Sequence, residues 1–308
     1  MGEKQLSLHL YTNRNCNLYC VHCYNNSFYQ ENRKEIIPEQ LVEIIKKLNK
    51  LYDIDIHLEG GEIFLRKEVF RELAKLDKEI LGKITITSNG TIFDDAEDIL
   101  YVLKNVETFR ISVEGHDNTT NRLLRNVDSD LLFKNICAYR DIGVNVVVRT
   151  TLHKGNYKTI FGELIPLLIE KEIKKIQIYE LQAVGRGERI QHLLLGDDEF
   201  ETFLKGIRNY DNRSIAIRMF FNRRRRESIY RNERFINKMN YNVIEIAPEN
   251  SLSISSEGFV RICPWDNDEN AVFNIFKVKD IYSEINKYNL EHECEYCSKI
   301  KIVNGNVD

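Results

Sequence analysis

The sequence predicts an α/β protein: a parallel sheet covered by helices, shaped as a partial (βα)6 TIM-type barrel, with a small C-terminal β-hairpin and helix module. Three observations predict it. Short apolar and β-branched runs alternate with stretches of helical periodicity through residue 210. Polar or glycine-rich breaks follow the strand runs, at the strands' C-terminal ends, where such folds carry their sites. Near Asn212 the alternation gives way to a basic stretch and shorter strand-like runs. The predicted organisation is therefore 1–210 for the partial barrel, 211–241 for a basic connecting segment and 242–308 for the C-terminal module. Six units are too few for a closed eight-stranded barrel, so the sheet should stay open.

The first strand is the alternating run Leu6-Ser7-Leu8-His9-Leu10, and a cysteine-rich loop follows it. Pro38 opens a helix with Leu41, Ile44, Ile45, Leu48 and Leu51 on one face. Ile54 to Leu58 forms the second strand and runs into Glu59-Gly60-Gly61-Glu62. One helix is predicted through Val69, Phe70, Leu73, Leu76 and Ile80, then a strand over Ile84–Thr87 that stops at Asn89-Gly90. A helix through Ile99, Val102, Leu103 and Val106 precedes the strand Phe109–Val113, which ends at Glu114-Gly115. The helix holding Leu132, Ile136 and Tyr139 leads to the strand Val144–Thr151. The next helix carries Pro166 near its start or as a kink, and the sixth strand runs from Ile176 to Leu181. The loop Ala183-Val184-Gly185-Arg186-Gly187 and a helix over 197–207 close the series. Beyond it, Ile215–Phe221, Asn242–Ile246, Ser251–Ile254 and Phe259–Cys263 read as strands, the last three as short antiparallel ones.

Composition narrows the function. With 43% hydrophobic and 30% charged residues but only 4 Pro and 15 Gly, the chain is globular, and 308 residues can bury a large core. A net charge of −3 does not point to nucleic acid. No apolar run spans a bilayer and no basic-then-apolar leader opens the chain, so a cytoplasmic, membrane-free protein is expected. In a reducing compartment, seven cysteines with six in two groups favour metal ligation over disulfides.

The first group is Cys16-x3-Cys20-x2-Cys23. Three thiolates on one loop can wrap an inorganic centre and leave a coordination position open for chemistry. A zinc site of Cys16, Cys20, Cys23 and His22 competes, although adjacent side chains such as His22 and Cys23 converge poorly on one tetrahedral ion. Cys137, on an apolar helical face, reads as a core thiol. The run Arg223–Arg226 reads as a solvated face, with an acidic peptide or phosphate partner as the lesser reading.

Together, the cysteine triad after the first strand and Gly60-Gly61-Glu62 after the second resemble the radical S-adenosylmethionine (radical SAM) enzymes. The resemblance implies that Cys16, Cys20 and Cys23 hold a 4Fe–4S cluster whose fourth iron binds S-adenosylmethionine, and it favours this over zinc. It implies that Gly60, Gly61 and Glu62 meet the methionine amino group, where missing side chains allow close approach and a carboxylate offsets an ammonium. His22 takes the place of an aromatic beside the adenine. Ser112 and Glu114 resemble ribose-binding groups. Arg125 resembles a family arginine after the fourth strand, with Asn126 where a glycine is usual. Arg149 resembles the cation for the methionine carboxylate, with a rim salt bridge as its rival.

The second group, Gly258-x4-Cys263 and Cys294-x2-Cys297, resembles the auxiliary-cluster region called SPASM, or its short form, twitch. A cysteine usual near Ile246 is missing, so the resemblance implies an auxiliary iron–sulfur cluster on Cys263, Cys294 and Cys297, completed by His292, Asp266, solvent or substrate. A zinc site of those cysteines with His292 is the rival. The resemblance further implies a 5′-deoxyadenosyl radical abstracting hydrogen from a substrate, and a flavodoxin- or ferredoxin-type electron donor. A ribosomally synthesised peptide is the first expected substrate, with a separate leader-peptide-binding protein as partner because no such domain precedes Cys16. The alternatives are a small-molecule oxidoreductase or cyclase for a sugar- or aminocyclitol-type metabolite, and, from another class, a non-enzymatic iron–sulfur or zinc binding protein.

Overall fold

Side chains in the first strands alternate apolar and polar, and that alternation builds the architecture. In the computed structural model, which describes residues 5–209, 214–246, 250–266, 268–290 and 299–304, seven parallel strands lie in chain order. They are β1 (Gln5–Tyr11), β2 (Asp53–Glu59), β3 (Ile84–Ser88), β4 (Thr108–Ser112), β5 (Val146–Leu152), β6 (Lys175–Glu180) and β7 (Ala216–Asn222). Leu6, Leu8 and Leu10 of β1, Ile54, Ile56 and Leu58 of β2 and Ile176 and Ile178 of β6 face outward and are buried under helices. Each such side chain contributes about 1.5–3 kcal/mol on burial. The intervening residues face inward. The register sets Ser7 beside Asp55, His9 beside His57 and Tyr11 beside Glu59, so the inner side chains form polar layers. Parallel strands packed on both faces are usually apolar throughout. Here only one face is apolar, and the other lines a lumen.

The covering helices are α1 (Pro38–Asn49), α2 (Lys67–Leu73), α3 (Lys78–Leu81), α4 (Glu97–Asn105), α5 (Asn118–Arg125), α6 (Ser129–Asp141), α7 (Ile165–Glu170) and α8 (Asp197–Gly206). The single helix expected through Ile80 is two, because Asp77 takes an extended conformation and starts a new turn. Leu76 is buried all the same, so periodicity did not reveal the break. Pro166 does sit in the first turn of α7, after a π-helical turn.

The parallel series does not end with the sixth strand, since β7 pairs parallel with β6. Helix α9 (Arg226–Lys238) and strand β8 (Tyr241–Ile246) follow. Then come β9 (Ser251–Ile254), β10 (Phe259–Arg261), β11 (Phe273–Asn274), α10 (Ile281–Ile285) and β12 (Lys299–Asn304). The order β11-β10-β9-β1-β2-β3-β4-β5-β6-β7-β12-β8 gives one open sheet. β9 and β10 form the expected antiparallel hairpin, turning at Gly258 with φ +83°. β8 does not join them; it pairs with β12 at the opposite edge. The C-terminal strands therefore extend both edges of the sheet, and β9 lies parallel to β1.

The arginine run is not a solvated face throughout. Arg225 is buried, stacks on Phe200 and donates to Glu180, Asp197 and the Leu195 carbonyl. Arg224 also reaches Glu180. Stripping one partner from such a buried pair costs about 3–5 kcal/mol. The run thus fixes the end of β6, from which Leu181 and Gln182 enter the site.

Candidate functional site

At the C-terminal rim, Cys16, Cys20 and Cys23 line one cavity of about 160 Å³. Their loop is held from three sides. Asn89, at the end of β3, points its amide at Cys16 Sγ (3.8 Å) and donates to Asn17 Oδ1 (2.7 Å). The backbone N–H groups of Leu18 and Ser27 point at the Cys16 and Cys23 sulfurs, each at 3.4 Å. Arg186 is buried, and its guanidinium donates to the Cys20 and Ser27 carbonyls (2.7 and 2.9 Å) while lying 4.1 Å from the Tyr19 ring centroid. Gly185, at φ +60°, sets this clamp, because a Cβ there would lie 2.4 Å from the Tyr24 carbonyl oxygen. The loop after the sixth strand therefore clamps the cysteine loop.

Burial pushes the Cys16 thiol up to about 11 and raises that of Cys20, where Arg125 opposes it. Neutral thiols suit the free protein, and metal binding releases their protons.

Gly60 and Gly61 line the same cavity, yet their missing side chains serve the neighbouring loop. A Cβ on Gly60 would lie 2.5 Å from Asn13 Oδ1, and one on Gly61 would lie 1.9 Å from the Asn15 carbonyl oxygen. Gly61 N–H donates to the Asn13 carbonyl and Glu62 N–H to that of Asn15, both at 2.8 Å. The exit of β2 is thereby zipped to the residues that lead into Cys16. Glu62 is fully buried. Its carboxylate accepts from Ser88 Oγ (2.8 Å), Asn89 N (2.7 Å) and Phe64 N (3.2 Å). It therefore braces the β3 exit beneath the cavity.

The other predicted residues converge. His22, Ser112, Glu114, Arg125 and Arg149 all line this cavity. His22 Nε2 lies 3.5 Å from Glu114 Oε1. Burial nonetheless lowers the imidazole pKa, against the pull of Glu114. Glu114 also accepts from Thr151 N at 2.9 Å. Arg125 spans two strand exits, donating to the carbonyls of Ser112 and Asn89. Asn126 caps its helix at φ +53°, the left-handed position that favours glycine or asparagine. Arg149 lies 3.7 Å from Glu59 and 4.6 Å from the centroid of the Tyr179 ring.

The chain past β5 holds Glu114 from behind. Asn156 donates to the Glu114 and Thr151 carbonyls, both at 2.8 Å, and accepts from His153 N at 2.9 Å. Burial pushes the His153 imidazole down to about 4, with Glu114 opposing and His22 adding to the shift. Between pH 6.5 and 4 the unfolded chain therefore binds a proton that the folded chain refuses. Stability present above pH 6.5 should fall by about 2 kcal/mol by pH 5 from this group alone. Urea unfolding at pH 7 and pH 5 should show that loss, and His153→Asn should shrink it; an unchanged difference would reject the assignment.

Below the rim the cavity meets the lumen, of about 300 Å³, sharing Tyr24, Glu59, Arg149, Tyr179 and Trp265 as walls. Tyr24 donates to Glu59. Burial would raise the Glu59 carboxyl, but His9, Arg149 and Tyr24 bring it down to about 2. Trp265 tilts against Tyr24 at 5.2 Å. The lumen side chains, among them His9, His57, Arg110 and Arg218, escaped the sequence reading. Their signal was polar residues at every second position of strands that should be apolar.

The chemistry of the donor set fits an iron–sulfur cluster and an adenosylated amino acid. Three soft thiols share a wall with acidic, hydroxyl and guanidinium groups. Two buried polar atoms of cavity-lining residues, His22 Nδ1 and Thr87 Oγ1, have no partner among the described residues. A family model, the Radical SAM superfamily, matches residues 10–167, just over half of the chain. The chain belongs to the radical SAM superfamily. Members of this superfamily are enzymes, and membership implies a 4Fe–4S cluster and S-adenosylmethionine.

Similar proteins span several reactions. Fe-coproporphyrin III synthase of Methanosarcina barkeri is 29% identical over 180 residues, covering 58% of this chain. A probable GTP 3′,8-cyclase of Thermoplasma volcanium is 25% identical over 305 residues, covering 92% of this chain and 87% of its own length. Sporulation killing factor maturation protein SkfB of Bacillus subtilis is 32% identical over 145 residues, covering 46% of this chain. The chain spans 44% of the length of the synthase and 34% of SkfB. Among solved structures, Streptococcus suis SuiB bound to S-adenosylmethionine aligns with a TM-score of 0.71 at 17% identity, covering 96% of this chain and 67% of SuiB. This likeness carries the fold of the radical SAM enzyme, an open sheet rather than a closed barrel.

Cys263 is buried near the lumen, where Pro264 and Trp265 form part of the wall. Cys294, Cys297 and His292 lie outside the described residues. No helix among the described residues is long and apolar enough to cross a membrane.

Proposed function

We propose that Cys16, Cys20 and Cys23 hold the 4Fe–4S cluster, and that the enzyme acts on a compact polar substrate seated in the lumen. The observation that carries this reading is the continuity of the two cavities through Tyr24, Glu59, Arg149, Tyr179 and Trp265. When bound, the cluster and S-adenosylmethionine supply a 5′-deoxyadenosyl radical that abstracts hydrogen from the substrate. The protein's own part is placement and exclusion of water. Ser112, Glu114 and His22 would hold the nucleoside end, and Gly60, Gly61 and Arg149 the methionine end. Glu62 and Arg125 are positioning residues, since Glu62 is committed to the β3 exit and Arg125 to two backbone carbonyls.

A lumen of about 300 Å³ lined by ionic side chains suits a small molecule. The similarity to a GTP cyclase along nearly the whole chain supports the same substrate class. Peptide maturation is the second reading, supported by SkfB over 145 residues. On that reading one residue of a peptide, presented by a separate binding protein, would enter the lumen. An auxiliary cluster on Cys263, Cys294 and Cys297 would accept an electron from the substrate radical on either reading, and a flavodoxin- or ferredoxin-type protein would reduce the first cluster.

Anaerobic protein given dithionite and S-adenosylmethionine should release 5′-deoxyadenosine. None formed by protein with full iron content would reject the enzyme reading. A low-molecular-weight cell extract should raise that rate and still do so after exhaustive peptidase digestion. Loss of the stimulation on digestion would transfer the assignment to the maturase.

A further inference from the structure

Two arginines of the lumen are left over by the cofactor cavity. Arg149 is balanced by Glu59 and the Tyr179 ring. Arg110 on β4 and Arg218 on β7 are not. Among the described residues neither has a carboxylate within ion-pair distance, and Arg218 has no hydrogen-bond or ion-pair partner there. Arg110 Nε is buried and unpartnered. Of the three lumen carboxylates, Glu59 goes to Arg149 and Tyr24 and Glu107 is exposed, while Asp55, whose Oδ2 lies 3.3 Å from His57 Nε2, feels the Arg110 charge from beyond ion-pair distance.

Arg110 is nonetheless aimed. Its Nη1 lies 3.4 Å from His57 Nδ1. A guanidinium only donates, so Nδ1 is the acceptor and the ring proton sits on Nε2, facing Asp55. His9 stacks on His57 at 4.6 Å. The chain Asp55–His57–Arg110 therefore holds a permanent cation against the lumen. Arg218 is set beside Gln177 across the β6–β7 pair and lines the same lumen.

A guanidinium drawn partly out of water without a directly paired counterion is costly, and its planar fork matches carboxylate and phosphate oxygens. We infer that Arg110 and Arg218 form an anion subsite in the lumen, which holds a carboxylate or phosphate of the substrate while its reacting carbon lies toward Tyr24 and Trp265. This rests on the lumen being the substrate chamber. It adds the substrate's charge: an acid or a phosphate ester, anchored one inward-facing position below Ser112 on β4 and below Phe220 on β7.

Trp265 is the only tryptophan of the chain and lines the lumen, so its fluorescence reports occupancy. Anaerobically purified holoenzyme should bind inorganic pyrophosphate or malonate saturably, by calorimetry and by Trp265 emission. Preference for pyrophosphate marks a phosphorylated substrate, and preference for malonate a carboxylate. Arg110→Gln and Arg218→Gln should each weaken binding about tenfold or more. Arg218→Lys should recover part of it, and the exposed Arg71→Gln should change nothing. The subsite is refuted by no saturable binding of either anion, or by wild-type affinity in both glutamine variants that keep the wild-type melting temperature and iron content. Formation of 5′-deoxyadenosine without substrate does not involve the subsite, so its failure would strike the enzyme reading and leave the anion result to stand.

Discussion

Cys20→Ala should abolish 5′-deoxyadenosine formation while leaving the fold intact. The separation is built into the loop. Arg186 grips the Cys20 backbone carbonyl, which also accepts from Cys23 N–H at 3.2 Å, and alanine keeps that carbonyl. Only the sulfur is lost, from a half-buried position with no side-chain packing role in the hydrophobic core. The change in stability should stay within about 1 kcal/mol. Iron bound per chain should drop and the cluster's visible absorption should weaken. A three-thiolate site reduced to two leaves one iron without its ligand. Iron retained in full would count against Cys20 as a ligand, and iron retained in part is the outcome expected if a second centre includes Cys263. Deoxyadenosine formed at the wild-type rate would refute the assignment of the triad.

Much of this site was legible because the ligand types are chemically scarce and sit at strand ends. Cys16, Cys20 and Cys23 cannot be spread along a strand at their spacing, and the polar groups after β2, β4 and β5 had to face one rim once the strands were parallel. Directions of side chains were not legible. Glu62 reads as a ligand-facing carboxylate next to two glycines, yet it turns under the floor to cap Ser88 and Asn89. Arg225 reads as solvated among four arginines, yet Glu180 on another element draws it inside. Both outcomes depend on residues distant in sequence, which periodicity does not report. The position of β8 is a similar case. Its sequence reads as a short antiparallel strand, as it is, but does not name the partner, which is β12, more than fifty residues later. The lumen lay within reach of the sequence. His9, His57, Arg110, Gln177 and Arg218 occupy alternate positions in strands whose other faces are apolar, and a buried polar face implies something polar to meet it.

Gly61→Ala should damage the cluster site more than any other single methyl group added near it. The new Cβ would lie 1.9 Å from the Asn15 carbonyl oxygen and 2.4 Å from its carbon. Both are backbone atoms, so no side chain can swing away. One of the two strand exits must move, and Asn15 is bonded directly to Cys16. Movement breaks the Glu62 N–H to Asn15 and Gly61 N–H to Asn13 hydrogen bonds. Overpacking of this kind costs about 1–3 kcal/mol, and each hydrogen bond lost adds about 1 kcal/mol. The expected result is a melting temperature lower by several degrees together with poor iron loading, a coupling absent from Cys20→Ala, which should lose iron without losing stability. Gly143→Ala is the matching control for an added methyl. Its Cβ meets nothing within 4 Å, but its φ of +84° adds backbone strain, so it should lower stability and leave iron loading alone. Wild-type iron content in Gly61→Ala would show that the zipped exits do not set the position of Cys16. The glycine pair would then have to be read again as room left for the ligand.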